Sequence, residues 1–197
     1  PLKKGDPLAA DEHPRPDTVA EKLAALKPVF SDDGVVTAGN ASGISDGAAA
    51  LLVCSADFAK AHGLKPLAKV VGHAVVGVPP EIMGIGPVPA LRKALERGGV
   101  GLGDLDLIEV NEAFAAQVVA VSRELGLDED KLNVDGGAVA MGHPLGASGA
   151  RLLGHMVHAL HQRDKTLAAA SACIGGGQGI ATVIERAQAG TRTAQNS

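Results

Sequence analysis

The chain has no tryptophan and no tyrosine, and only 3 of its 197 residues are phenylalanine. Its core must therefore be built from Ala, Val, Leu and Ile, and the 26 glycines suit close packing of helices on a sheet. Two cysteines, Cys54 and Cys173, are too few for a disulfide framework and point to a reducing compartment. No basic block is present and the formal net charge is −4, which argues against nucleic acid as the main partner. A single anionic ligand can still meet a local cluster of charge. The opening "PLKKGDPLAADEHPRP" lacks an initiator Met, an apolar leader and an Arg-rich presequence, so no targeting segment is read in it. That start leaves room for a longer protein. Residues 166–184 carry no charge, nominally enough for a membrane span, but "GGGQG" interrupts them. Two short strands around a loop are expected there instead.

With 46% apolar residues, the chain can bury enough surface to fold as one domain with room for an extra lobe. Residues 1–45 are rich in Pro, Gly and Asp and read as an extended arm or the end of another lobe, with one short helix near "DTVAEKLAAL". From Asp46 the pattern becomes regular. "AAALLVC" reads as a buried strand that takes Cys54 into the core. "SADFAKAHG" reads as a helix with Ser55 as N-cap and Gly63 as its stop. "PLAKVVGHAVV" (strand), "PVPALRKALERGG" (helix), "LDLIEV" (strand) and "EAFAAQVVAVSREL" (helix) follow. The helix "GASGARLLGHMVHALHQR" and the strands "TLAAASA" and "GIATVIE" complete the series, and the residues from Ala187 read as a frayed tail. Alternating strands and helices predict an α/β domain with its sheet covered on both faces.

Ligands in such folds gather where strands hand over to helices. Three blocks fall at those points: "NEAFA" (111–115), "GGAVAMGHPLGASGAR" (136–151) and "SACIGGGQGIA" (171–181). Asn111 can cap the following helix, hold a water or a carbonyl oxygen, or do both. His143 stands between Gly142 and Pro144 and reads either as a satisfied structural histidine or as a base. Cys173 and His143, far apart in sequence, can meet in space, which taken alone suggests a cysteine nucleophile with a histidine base. The glycines after Cys173 fit neither G-x-G-x-x-G nor a P-loop. They make either a tight strand-to-strand turn or a loop whose N–H groups face an oxyanion. His155, His158 and His161 recur every third residue on a helix, and a solvated face is expected rather than a metal site.

Taken together, "TAGNASGISDGAA", "IMGIGPVPA", "EVNEAFAAQ", "GGAVAMGHPLGASGAR" and "SACIGGGQGIA", in this order, resemble the C-terminal half of a thiolase. The resemblance runs from about residue 10 to 186. "DEHPRPDT" and "DLIEVNEAFA" lean toward 3-ketoacyl-CoA thiolases, and "AMGHPLGASGAR" is equally at home in acetoacetyl-CoA thiolases. It implies a thiolase-type layered α/β domain over residues 46–186, with a mixed five-stranded sheet between helical layers. Residues 1–45 become the end of the thiolase loop region, and 187–197 a disordered tail.

The activity implied is thiolysis of a 3-ketoacyl-CoA by CoA to acetyl-CoA and a shortened acyl-CoA, or the reverse Claisen condensation. Coenzyme A is then a substrate, with no other cofactor and no metal. His143 would activate the nucleophilic thiol and, with a water held by Asn111, form one oxyanion hole. Cys173 would move the proton at the α-carbon of acetyl-CoA, and the N–H of Gly175 would contribute to a second oxyanion hole. Ser42 would touch the pantetheine arm, and Arg15 would lie near the adenine end. The family's nucleophilic cysteine belongs to an N-terminal half, which this chain would need as a partner, on the same or a separate polypeptide. A homo-oligomer, either dimer or tetramer, and a bacterial cytoplasm or mitochondrial matrix are also implied. The competing readings are a non-catalytic CoA- or acyl-CoA-binding module and a small thioesterase with Cys173 as nucleophile.

Overall fold

A computed structural model describes residues 9–11 and 13–187. In chain order its elements are α1 (Ala20–Ala24), α2 (Ala56–Ala61), β1 (Ala68–Gly77), α3 (Pro87–Gly98), β2 (Leu107–Val110), α4 (Ala115–Leu125), α5 (Ala138–Met141), α6 (Leu145–Gln162), β3 (Leu167–Ile174) and β4 (Gln178–Arg186). A 3₁₀ segment, Pro80–Ile85, leads into α3. The strands form one mixed sheet in the order β1-β4-β3-β2, with β2 and β3 parallel and β4 antiparallel to both neighbours.

The period-two alternation of the strands makes two apolar faces. Ile108, Val110, Ala169, Ala181 and Val183 face α3 and α4 through Leu91, Ala94, Val118 and Val121. Leu107, Ala168, Ala170 and Ile184 face α6 through Leu152, Met156 and Leu160. The run of alanines in β3 lets a helix approach from either side. Leu91, Met156 and Leu160 are wholly buried; each such side chain contributes about 1.5–3 kcal/mol.

The helix signals in the sequence act as expected at several ends. Ser55 Oγ accepts the Phe58 N–H at 3.1 Å, and Gly63 stands in the left-handed region at φ 63°. Two expectations are overturned. The sheet has four strands rather than five, because "AAALLVC" joins no strand among the described residues and is exposed throughout. Cys54 is accordingly exposed, not packed in a core. The segment runs outside α6, with Gly47 against Pro144 and Leu51 over Gly154. An unbroken apolar run shows that a segment is suited to burial on both sides, but not which surfaces bury it. Among the described residues no strand pairs with it. The tail expected over 187–197 lies, Ala187 apart, outside the described residues. Among the described residues no helix is long and apolar enough to cross a membrane.

The β3–β4 hairpin accounts for most of the glycines that follow Cys173. Ile174 pairs with Gln178, leaving three glycines for the turn, with Gly176 at φ 86° and Gly177 at φ 90°. Gly179 lies so close to the start of α3 that a Cβ there would fall 2.0 Å from the Gly86 carbonyl oxygen. Gly175 is different. Its φ is not positive, and a Cβ would meet nothing within 4 Å. Gly179→Ala should therefore lower stability to urea by about 1–3 kcal/mol, while Gly175→Ala should change it by less than about 0.5 kcal/mol. Equal losses in the two variants would contradict this division.

Candidate active site

The parallel ladder brings two of the three blocks to one end of the sheet. Val110 pairs with Ser171, and Asn111 N–H donates to the Ser171 carbonyl at 2.8 Å. Cys173 lies two residues further along β3, so Asn111 and Cys173 share the strand end at which α/β sheets present ligands. Asn133 closes β2 from the other side. Its Oδ1 accepts Val110 N–H at 2.9 Å and its Nδ2 donates to Val110 O at 3.0 Å. Asn133 stands at φ 46°, a conformation Asn tolerates better than most residues.

The third block brings in His143. Gly142, at φ 90°, reverses the chain after α5, and α6 begins two residues beyond His143. Both ring nitrogens are held. Ser148 Oγ donates to Pro144 O at 3.0 Å, so toward the imidazole it acts as acceptor, and His143 Nδ1–H donates to it at 2.7 Å. That fixes the tautomer. Nε2 keeps its lone pair and accepts the Asn111 Nδ2–H at 3.2 Å. Asn111 is 1% exposed, and its Oδ1 has no partner among the described residues. Burial, and behind it the positive charge of Arg151, hold the His143 pKa below the ordinary 6.5.

Residues 40–45 tie these blocks together. Ala115 N–H donates to Asn40 O at 2.8 Å, Ser42 N–H to Ala113 O at 3.0 Å, and His143 N–H to Gly43 O at 2.8 Å. Ser42 thus reaches the site through its backbone. Arg15 is exposed, and no contact among the described residues joins its guanidinium to the cluster. His13 lies closer, its ring against Gly43 and its Nε2 at 3.3 Å from Val139 O.

Burial pushes the Cys173 thiol pKa up, only partly countered by a backbone hydrogen bond. Cys173 therefore stands as a protonated thiol at neutral pH. Two residues on, the N–H of Gly175 meets no acceptor among the described residues.

Sequence reasoning missed several contributors. Ser148 is 3% exposed, and its one sequence signal is a hydroxyl in a small-residue helix start, five positions after His143. Glu112 Oε2 accepts Val139 N–H at 3.0 Å and so holds the start of α5, just before His143. His155 does not face solvent as expected, because it is inserted between the carboxylates of Glu109 and Asp135. His158 is exposed and His161 Nε2 donates to Leu67 O at 2.8 Å, so the three histidines do not converge. A spacing of three places side chains on one helix stripe without saying what faces it.

Because folding favours the neutral ring, His143 adds stability above pH 6.5 that is lost as the pH falls from there through its folded value. An NMR titration should place the His143 midpoint below 6.5, and Arg151→Met should raise it. A wild-type midpoint at or above the ordinary value would contradict the burial. Iodoacetamide at neutral pH should label exposed Cys54 well before Cys173, as read by peptide mass spectrometry. Preferential labelling of Cys173 would show that its thiol is activated in this chain.

The family description "Thiolase, C-terminal domain" matches residues 64–186, and "Thiolase, N-terminal domain" matches residues 2–57. The chain is 58% identical over 184 residues to an acetyl-CoA acetyltransferase of Escherichia coli (strain K12), covering 93% of this chain and 47% of that protein. It is 56% identical over 184 residues to the human mitochondrial 3-ketoacyl-CoA thiolase, covering 93% and 46%. The crystal structure of the Bacillus anthracis acetyl-CoA acetyltransferase superposes with a TM-score of 0.85 at 55% identity, over 90% of this chain and 45% of that one. The chain thus spans about half the length of these relatives. With matched family domains over nearly its whole length, it belongs to the thiolases, a family of acyltransferases.

Proposed function

We propose that the chain supplies the His143, Cys173 and Asn111 side of a thiolase site and works with an N-terminal half that carries the nucleophilic cysteine. The observation that carries this reading is the double grip on His143. Ser148 takes the proton-bearing Nδ1 and leaves Nε2 as the basic nitrogen beside Asn111. In thiolysis, Nε2 takes the proton of the nucleophilic thiol, and the thiolate adds to the 3-keto carbon of the substrate. The C2–C3 bond then breaks, its electron pair passing to C2 as the enolate of acetyl-CoA. The ring now carries a proton on Nε2 and can donate it to the enolate oxygen, with a water on Asn111 as second donor.

Cys173 protonates C2, a role that suits a thiol held protonated by burial. The incoming CoA thiol returns a proton to Cys173 and attacks the acyl-enzyme, whose oxyanion meets the Gly175 N–H. Collapse releases the shortened acyl-CoA, and the nucleophile recovers its proton from His143. Run backwards, the same steps give the Claisen condensation. Ser42 and Arg15 are assigned to the pantetheine arm and the adenine end of CoA, which serves as substrate, with no other cofactor. The partners proposed are CoA esters, the N-terminal half and further copies of the same protein.

The test is to mix this chain with the N-terminal half of a homologous thiolase and follow loss of acetoacetyl-CoA on adding CoA. Turnover should require both halves. Gly175→Pro, which removes the N–H donor, should cut kcat in the mixture by about 10²–10³-fold. Tight acyl-CoA binding by this chain, with no turnover in the mixture, would instead support the non-catalytic module.

A further inference from the structure

Glu109 is an ionisable side chain that the proposed chemistry does not use, yet it is 1% exposed. It is the third residue of β2, two before Asn111 and on the same side of the strand. One carboxylate oxygen accepts from Arg151 and the other from His155, both on α6. His155 Nε2 donates onward to Asp135 Oδ2 at 2.9 Å, and Arg163 to Asp135 Oδ1 at 2.6 Å. Ser148, Arg151 and His155 follow one another at spacings of three and four, so they share one stripe of α6.

The grip on His143 depends on the distance between two elements. Ser148 belongs to α6 and Asn111 follows β2, so both ring contacts hold only if the helix keeps its position along the strand. The apolar contacts of Leu152 and Met156 with Leu107, Ala168 and Ala170 are non-directional and allow the helix to slide or roll. A buried carboxylate with two fixed partners one turn apart does not. From this we infer that Glu109 is a positioning residue for His143, holding the helix that carries Ser148 in register with the strand that carries Asn111.

This rests on the reading of His143 as the base, and the test separates the two. Long-range ¹H–¹⁵N spectra of the full chain report which imidazole nitrogen of His143 bears the proton. Glu109→Gln alone leaves Arg151 without its counter-charge and still offers His155 an acceptor, so the main variant is Glu109→Leu/Arg151→Met, which removes both ties while His155 keeps Asp135. Wild type should show Nδ1 protonated. The folded double variant should show both tautomers, and with the N-terminal half it should lose about 10–100-fold in kcat with KM nearly unchanged. If the double variant does not fold, His155→Gln cuts one of the two ties and carries the same expectation. A folded variant with one tautomer and wild-type kcat overturns the proposal. If wild type shows no thiolysis with the N-terminal half, the functional reading fails, while the spectra still decide the positioning role.

Discussion

Val110 stands opposite Ser171 in the parallel ladder, and the bond from Asn111 N–H to Ser171 O extends that ladder one residue beyond β2. From this register the rest of the site follows. It puts the Asn111 and Cys173 blocks at one sheet end, and Asn111 then reaches across to His143. The 40–45 segment, bonded to Ala113, Ala115 and His143, spans the same blocks. A parallel pair needs a long crossover, and here α4, α5 and α6 lie within it. The crossover thus carries Ser148 and His143 back to the strand end from which it began.

Burial acts on the two titrating groups in opposite directions and with one outcome. It lowers the pKa of His143, whose charged form is the protonated one, and raises that of Cys173, whose charged form is the thiolate. Both are thereby kept neutral near neutral pH. A neutral imidazole whose Nε2 keeps its lone pair is a base, and a protonated thiol is an acid. Those are the starting states that the proposed carbon–carbon cleavage uses. The buried Glu109 is of another kind, since its carboxylate has a counter-charge beside it in Arg151.

Much of the fold was legible in the sequence because its punctuation is strong. Ser55, Gly63, the prolines before α3 and the double glycine after it mark helix ends by chemistry that acts locally. The three ligand-side blocks were legible because each joins a strand end to glycines or a capping residue. What could not be read depends on partners distant in the chain. "AAALLVC" has the composition of a buried strand, but its covering surface is not specified by its own residues. The sequence points His155 to solvent because a helix stripe does not reveal the carboxylates of β2 and the 133–137 loop that face it. Ser148 carries no distinctive signal, because a small hydroxyl at a helix start reads as capping or solubility. The glycines after Cys173 divide along the same line. Gly176, Gly177 and Gly179 are required by the hairpin and its packing, whereas Gly175 meets no such requirement.

The central claim is that Cys173 handles a proton while another polypeptide segment carries the acyl group. Mass spectrometry of peptides after brief exposure to an acyl-CoA tests this directly, on this chain alone and on its mixture with an N-terminal thiolase half. Acylation of a cysteine in the N-terminal half, with Cys173 unmodified in both samples, is the predicted result. An acyl group on Cys173 in the chain alone would contradict it and make Cys173 the nucleophile.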